Sequence, residues 1–343
     1  MKRFLFFLIF ILIIMTSCGS KNQKSVSRSD FLLNTIVEIT LYEDEKASNQ
    51  MLDEMFNKIR VYENRYSRHM ADSEIAKINE SRGKKVPVSN DTMDMIEKSL
   101  YFSTLSDGLF DIGVGALVDL WDINGENPHK PQQAEIDAVL KDIDYRKITL
   151  DKENNTISIP NTSMLIDSGA IAKGYITDRL VMYLKEKNVD SALLNLGGNL
   201  YLYGSKKDGS PWNIGIRNPF GFQGDYIGTV TIKNLSVVTS GIYERYFEEN
   251  GVRYHHIFNP RTGYPEENNL ASVSILAESS TMADGLSTAT FLLGLEDGMA
   301  LIESLDGIEA IMVTKDNKIH LSSGIKNGNI PFTLTKKEFT VVK

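Results

Sequence analysis

Two hydrophobic periods alternate along the first part of the chain. Residues 31–42 alternate apolar and polar positions and are rich in Ile, Val and Thr, which predicts a β-strand. Residues 46–64 instead carry apolar side chains three and four positions apart, which predicts an amphipathic helix, and residues 92–104 predict another. Between these helices, Ser73 is placed to cap a shorter helix that begins near Ile75.

Short strands and helices follow in no regular order. Helices are predicted over residues 134–140, 283–293 and 298–305, and another follows residues 166–174 and continues through residue 184. Strands are predicted over residues 147–150, 156–160, 192–196, 200–203, 212–216, 227–232, 236–239, 273–276, 310–314 and 319–322. Because strands and helices do not alternate regularly, we expect the α+β class, with mixed sheets and packed helices in one domain.

The N-terminus carries a different pattern. Lys2 and Arg3 precede an uninterrupted apolar run over residues 4–15, which is too short to span a bilayer and is typical of a secretory signal peptide. Small residues follow the run and lead to Cys18, the only cysteine of the chain. This arrangement resembles a bacterial lipobox, in which the thiol is lipidated before cleavage. An ordinary signal peptide with an incidental cysteine is the alternative.

Cleavage before Cys18 would divide the chain into three parts. We predict a lipoprotein signal peptide over residues 1–17, a lipidated N-terminus and flexible tether over residues 18–29, and a folded domain over residues 30–343. The expected product is an exported bacterial lipoprotein, anchored to a membrane on its periplasmic or extracytoplasmic side. Without a second cysteine, the domain cannot form an internal disulfide.

Composition narrows the classes of partner. The 343 residues are 42% hydrophobic and 24% charged, which is ordinary for a globular protein. The formal net charge is −8, and no basic stripe stands out, so nucleic acid is not an expected partner. Gly108, Gly113 and Gly115 lack the strand, turn and helix context of a dinucleotide fingerprint, so a Rossmann fold is not expected.

Two stretches far apart in sequence carry the candidate chemistry, residues 166–174 and residues 282–289. In the second stretch Asp284 and Thr288 are four positions apart, so a helix would project both side chains from one face. A carboxylate and a hydroxyl suit Mg²⁺, which takes few protein oxygens and commonly binds together with phosphates. On spacing alone, capping of a helix N-terminus is the alternative interpretation.

Five motifs in a fixed order resemble a known family. They are IDSGAIAKGY (166–175), LLNLGGNLY (193–201), TSGIYERYF (239–247), HHIFNPRTGYP (255–265) and MADGLSTA (282–289). Behind a lipobox, they look like the bacterial ApbE-type FAD:protein FMN transferases, and the match covers nearly all of the mature chain. The resemblance implies a T-fold-related catalytic domain that cleaves FAD and releases AMP. FMN would be attached through a phosphoester to a threonine of an exported acceptor, a subunit of a membrane redox complex.

The same resemblance implies roles for individual residues. Mg²⁺ would be held by the backbone carbonyl of Ala170 and by the side chains of Asp284 and Thr288. The flavin nucleotide would contact Leu109, Phe110, Asp111, Asp167, Lys173 and Ile257. His69 stands where the family often has a tyrosine and would stack against the flavin ring. Residues 33–35 read Leu-Asn-Thr instead of the common Met-Gly-Thr, and Glu244 and Arg261 lie in matching motifs.

The reaction itself requires certain groups. Cleavage of a phosphoanhydride requires positive charge near the attacked phosphoryl group and the departing AMP, which a divalent cation and Lys173 would supply. The attacking threonine hydroxyl must lose a proton, and His256 is the candidate general base because unperturbed imidazole is largely neutral near pH 7. A purely structural histidine and a merely solvated lysine are the alternatives for these two residues.

Three functions remain open from the sequence. The leading one is the FMN transferase. The second is a Mg²⁺-dependent FAD pyrophosphatase, in which water replaces the threonine and the same site chemistry serves. The third is a non-catalytic flavin-binding lipoprotein, which would need neither a metal nor a base.

Overall fold

A nine-stranded mixed sheet organises residues 25–342, the part of the chain that this computed structural model describes. The predicted signal peptide, Cys18 and most of the predicted tether lie outside the described residues. The combination of several sheets with packed helices confirms the predicted α+β class. Within residues 25–342, no helix combines the length and apolar character that crossing a membrane would require.

The strands and helices are bounded as follows. The strands are β1 (Val26–Leu32), β2 (Thr35–Leu41), β3 (Val86–Pro87), β4 (Thr149–Asp151), β5 (Thr156–Ser158), β6 (Ser191–Leu196), β7 (Asn199–Gly204), β8 (Trp212–Arg217), β9 (Tyr226–Ile232), β10 (Leu235–Gly241), β11 (Tyr246–Glu249), β12 (Val252–His255), β13 (Leu270–Ala277), β14 (Glu309–Thr314), β15 (Lys318–Leu321), β16 (Phe332–Leu334) and β17 (Thr340–Val341). The helices are α1 (Glu45–Tyr66), α2 (Glu74–Asn79), α3 (Asn90–Leu105), α4 (Gly115–Trp121), α5 (Gln133–Leu140), α6 (Ala172–Glu186), α7 (Ser280–Glu303) and α8 (Ser323–Lys326).

The large sheet has the strand order β1-β2-β6-β7-β10-β13-β14-β15-β17. Its neighbouring strands are antiparallel except for the parallel pair β15 and β17. Three smaller sheets have the orders β16-β9-β8, β3-β5-β4 and β11-β12. The hairpin β11-β12 ends next to His256, and therefore its position matters for the site.

Both faces of the large sheet are covered. Successive residues of a strand point to opposite faces. Accordingly, Val238 and Met312 belong to the main core beneath the helices, whereas Val237 and Val313 belong to a second core with the sheet β16-β9-β8. A third cluster surrounds the fully buried Trp121. The large sheet is thus the middle layer, and α6 and α7 lie on its helical side.

The N-terminal region differs from the prediction in two ways. The single strand predicted over residues 31–42 is a hairpin, because Leu33 and Asn34 both adopt φ of 55° and turn the chain between β1 and β2. In addition, β1 begins at Val26, so residues 26–29 belong to a strand and not to the predicted tether.

At the other end, the helices predicted over residues 283–293 and 298–305 are one element, α7. Gly294 interrupts it with φ 80° and ψ −172°, which kinks the helix without ending it.

Candidate active site

The two candidate stretches meet where α6 begins. The Gly174 amide donates a hydrogen bond of 2.8 Å to Oδ2 of Asp284, a residue 110 positions later in the chain. A Cβ atom on Gly174 would lie 2.3 Å from the Ser280 carbonyl oxygen and 2.6 Å from the Asp284 Cβ. Only glycine therefore allows α6 and α7 to approach so closely.

The start of α7 is capped by residues other than Asp284. Ser279 is the N-cap and accepts a hydrogen bond from the Met282 amide. Asp178 of α6 accepts from the Ser280 amide at 2.7 Å and from the Thr281 amide at 3.0 Å. Because the first amides of α7 are satisfied in this way, helix capping does not explain Asp284, which lies one turn inside the helix.

Asp284 is a buried carboxylate beside a cation. It is only 4% exposed, and this burial raises the pKa of its carboxyl, while the Lys173 charge and the Gly174 amide lower it. One turn later, the Thr288 hydroxyl is 3.3 Å from the Ser240 hydroxyl. Thus Asp284 and Thr288 do share one stretch of α7, next to the start of α6.

Magnesium is implied by the family resemblance, and the donor set can be tested against the structure. Among residues 25–342 there is no group of three or more His, Cys, Asp or Glu side chains that could hold a metal. The predicted magnesium site does not require such a group, because Asp284 is its only ligand among these four residue types. A hydroxyl on Thr288 and the backbone of Ala170, in the turn before α6, are the other donors. A buried carboxylate with uncharged oxygen donors fits a hard cation.

The neighbouring histidines His255 and His256 differ in their contacts. His255 is buried; its Nδ1 accepts from the Ile257 amide at 3.3 Å, and its Nε2 is 3.1 Å from the Glu266 carbonyl oxygen. His256 Nδ1 lies 3.2 Å from the Arg245 carbonyl oxygen. Since a carbonyl only accepts, this contact holds the proton on Nδ1 and leaves Nε2 of His256 able to accept one.

Both histidines are neutral at physiological pH. Burial lowers the pKa of His255 to about 4. Burial and then the positive charge of Arg245 lower the pKa of His256 to about 3, with smaller contributions from His255 and Lys173. Since Lys173 acts on both His256 and Asp284, the three groups share one electrostatic environment.

A pocket of about 350 Å³ opens beside the start of α6. This volume lies within the range of about 300–1,000 Å³ that is usual for small-molecule sites. The predicted residues His69, Asp167 and Lys173 line it, together with the β1–β2 turn, the end of α1 and part of α4. These three predicted residues are therefore brought together.

Other predicted flavin contacts do not line this pocket. Phe110 is 2% exposed and packs against Phe102, with ring centroids 5.7 Å apart. Both oxygens of Asp111 accept backbone hydrogen bonds, from Gly113 at 2.7 Å and from Tyr145 at 2.8 Å, and burial raises the pKa of Asp111 to about 6. Leu109 and Ile257 pack in the main core. The side chains of all four residues contribute to folding.

The two motif residues without a predicted role form ion pairs. Arg261 donates to the backbone carbonyl of Asp107 at 2.6 Å and to its Oδ2 at 2.7 Å. Glu244 pairs with Arg217 at 3.1 Å. Both contacts tie together segments that are distant in sequence.

Two arginines of the pocket were not singled out in the sequence. Arg68 bridges Asp167, at 2.7 Å, and Asp119, at 2.5 Å. Arg245 also lines the pocket, and its backbone contacts His256. Arg245 lies within the motif TSGIYERYF, so the sequence could have indicated it as a site residue. No sequence feature indicates Arg68 except its position next to His69.

Comparison with known proteins gives one consistent answer. A model of the ApbE family matches residues 33–312. A FAD:protein FMN transferase of Treponema pallidum (strain Nichols) is 35% identical over 326 residues, which cover 90% of this chain and 90% of that protein. A protein of the same name from Klebsiella pneumoniae (strain 342) is 38% identical over 303 residues, 88% of this chain and 93% of that protein.

Solved structures agree with these relatives. The crystal structure of the ApbE protein from Thermotoga maritima superimposes with a TM-score of 0.81 at 33% identity, covering 89% of this chain and 99% of that one. The flavin transferase ApbE from Vibrio cholerae gives a TM-score of 0.80 at 28% identity, with the same coverage. The family match over most of the chain and the shared fold confirm the resemblance drawn from the five motifs: the chain belongs to the ApbE family.

Proposed function

We propose that the protein is a FAD:protein FMN transferase, the activity named for its curated relatives. The observation that carries this proposal is the meeting of α6 and α7, where Asp284, Lys173 and His256 share one electrostatic environment. A carboxylate able to bind a metal, a cation and a neutral base are the groups that phosphoryl transfer requires.

The reaction begins with FAD and the acceptor threonine. The threonine hydroxyl oxygen forms a bond to the phosphorus of the FMN half, and the bond from that phosphorus to the bridging oxygen breaks, so that AMP leaves. Nε2 of His256 takes the hydroxyl proton, because Nδ1 is engaged with the Arg245 carbonyl. Lys173 neutralises charge on the pyrophosphate.

Ala170, Asp284 and Thr288 would hold Mg²⁺ through a carbonyl, a carboxylate and a hydroxyl. When bound, the ion supplies positive charge to the phosphate oxygens. The chain's own part is to keep the Asp284 carboxylate buried and fixed in position, which the hydrogen bond from the Gly174 amide supports.

The acceptor and the location of the enzyme extend the proposal. We expect the acceptor to be a threonine-bearing subunit of a membrane redox complex. Lipidation at Cys18 would hold the enzyme at the same membrane, on its periplasmic or extracytoplasmic side. Both expectations rest on the N-terminal sequence pattern and on the family resemblance.

The test uses protein that begins after Cys18, incubated with FAD, Mg²⁺ and a threonine-bearing acceptor domain. The intact mass of the acceptor and the release of AMP are followed together. We expect the acceptor to gain one FMN phosphoester, and Asp284→Ala to abolish this gain. Asp297→Ala is the matched control, because Asp297 is an exposed carboxylate on the same helix.

Two other outcomes would contradict the proposal. AMP with free FMN and unmodified acceptors, after several acceptors had been tried, would assign the protein as a FAD pyrophosphatase. Absence of AMP under all conditions, with FAD still bound, would assign it as a flavin-binding protein.

A further inference from the structure

The charges that line the pocket are divided into paired and unpaired groups. Asp119 and Asp167 both pair with Arg68, so the charge of this arginine is already neutralised. The other two lining carboxylates accept hydrogen bonds from backbone amides: Glu63 from the Leu33 amide at 2.6 Å, and Asp122 from the Asn127 amide at 3.0 Å.

Two cations of the pocket lack such a counter-charge. Within residues 25–342, the side chains of Lys173 and Arg245 form no ion pair with a carboxylate. Lys173 Nζ donates to the Gly169 carbonyl at 3.2 Å, and a guanidinium nitrogen of Arg245 donates to the Asn34 carbonyl at 3.4 Å. A carbonyl oxygen does not neutralise a full positive charge, so both cations remain available to an anion.

The start of α6 adds to this positive side of the pocket. Ala172 and Lys173, in the first turn of this 15-residue helix, line the pocket together with Gly169. The N-terminal end of a helix carries partial positive charge and favours phosphate groups. Two unpaired cations beside it match a ligand with two linked phosphates.

The backbone of Arg245 has a second contact that concerns the reaction. Its carbonyl oxygen accepts from the His256 amide at 3.1 Å and lies 3.2 Å from Nδ1 of the same histidine. The residue that fixes the orientation of the imidazole is therefore also the one that presents a guanidinium to the pocket.

We propose that Arg245 binds the pyrophosphate of FAD together with Lys173, while its backbone carbonyl orients His256 for proton transfer from the acceptor threonine. The inference rests on the proposed function for the identity of the ligand. Its structural basis is independent: the Arg245 guanidinium lines the pocket with Lys173 and the start of α6, and within residues 25–342 it forms no ion pair with a carboxylate.

The experiment compares equilibrium binding of FAD and of riboflavin, which lacks both phosphates. Flavin fluorescence is titrated without Mg²⁺ in wild type, Arg245→Gln, Arg245→Lys and Arg253→Gln. Arg253 is the matched control, because it lies on the same hairpin and pairs with Glu248. We expect Arg245→Gln to raise the Kd of FAD about 10- to 100-fold. The Kd of riboflavin should stay unchanged, Arg245→Lys should restore most of the affinity for FAD, and Arg253→Gln should bind as wild type.

Two results would overturn the inference. One is an unchanged Kd of FAD in Arg245→Gln; the other is an equal loss of riboflavin and FAD binding, which would make the side chain a structural one. AMP release by wild type with Mg²⁺, measured separately, reports on the proposed function. Loss of that activity and loss of the Arg245 effect are therefore distinguishable.

Discussion

His255 and His256 show how two adjacent residues of one type acquire different roles. Both ring nitrogens of His255 contact the backbone, so this residue stabilises the turn after β12. His256 instead donates from Nδ1 to the Arg245 carbonyl, and we propose that its Nε2 takes the proton of the acceptor threonine. The sequence motif could indicate a catalytic histidine, but only the contacts separate the structural ring from the candidate base.

The low pKa values of these histidines predict a fold that is sensitive to acid. An unfolded histidine titrates near 6.5, whereas the folded pKa values are about 4 for His255 and about 3 for His256. The unfolded chain therefore binds more protons in this window. The stability that the neutral rings contribute is complete above about pH 6.5, and it is lost as the pH falls toward the folded pKa values.

Asp111 acts in the opposite direction. Burial raises its pKa from 3.8 to about 6, so the folded state binds a proton that the unfolded state releases, and this contribution fades as the pH rises through about 6. Asp284, whose pKa burial also raises, acts in the same direction as Asp111. Asp151 and Asp316, whose pKa values hydrogen bonds lower to about 2, act in the same direction as the imidazoles, so we expect the free energy of unfolding to fall from pH 6.5 to pH 4. Urea denaturation at a series of pH values would measure it.

His255→Gln supplies the comparison. This variant lacks one titrating ring, so its free energy of unfolding should depend less steeply on pH, by up to about 1.4 kcal/mol per pH unit. Identical slopes in wild type and variant would show that His255 does not contribute to the acid sensitivity.

At the scale of elements, α7 contains a backbone conformation that constrains its sequence. Gly294, with φ 80° and ψ −172°, occupies a region that is essentially restricted to glycine. A Cβ atom there would meet no heavy atom within 4 Å, so a substitution would strain the backbone without a steric clash. We expect Gly294→Ala to lower the free energy of unfolding by about 1–3 kcal/mol, as measured by urea denaturation.

Gly285→Ala provides a contrasting variant on the same helix. Its Cβ would lie 2.3 Å from the ring of Phe102, so its effect should come from packing between α3 and α7. Replacing that ring by a smaller side chain, in Phe102→Leu, should restore part of the stability lost in Gly285→Ala and should not change the stability of Gly294→Ala. An equal rescue of both would argue against backbone strain at Gly294.

Most elements could be predicted from hydrophobic period, and those that were missed have physical reasons. The turn at Leu33 and Asn34 has no glycine or proline, so Asn34 is the one residue type that favours a break between β1 and β2. The hairpin β11-β12 was overlooked even though Asn250 and Gly251 form a strong type I′ turn signal. Helix α4 has no side-chain N-cap at Val114, so it lacked a start signal.

For the whole molecule, the sequence predicted the site in part. Residues within one helical turn, such as Asp284 and Thr288, follow from spacing. The meeting of α6 and α7 follows from tertiary packing, and the five motifs predicted it only through the family resemblance. Arg68 pairs with Asp119 and Asp167, which lie in segments that no local sequence pattern connects to it. Because the sequence does not show which arginine of the pocket is paired, it could not identify Arg245 as the one without a carboxylate partner.

The proposed metal site links ligand binding to the stability of the whole domain. An ion that binds only the folded state stabilises it by about 2.7 kcal/mol at a concentration 100 times its Kd. We therefore expect Mg²⁺ to raise the Tm of the protein, and a chelator to reverse the change. Differential scanning calorimetry with and without Mg²⁺ would measure it.

The variant Asp284→Asn tests whether Asp284 is the residue through which Mg²⁺ stabilises the protein. Burial disfavours the charged carboxylate, so the uncharged amide should leave the metal-free protein at least as stable as wild type, and its oxygen can still accept from the Gly174 amide. With Mg²⁺, the variant should show no rise in Tm, whereas Asp297→Asn should keep the full rise. If Asp284→Asn were stabilised by Mg²⁺ as strongly as wild type, the ion would bind elsewhere. A buried charge that binds an ion should destabilise the protein when the ion is absent. If the metal-free variant were much less stable than wild type, the Asp284 carboxylate would therefore stabilise the fold and would not be a metal ligand.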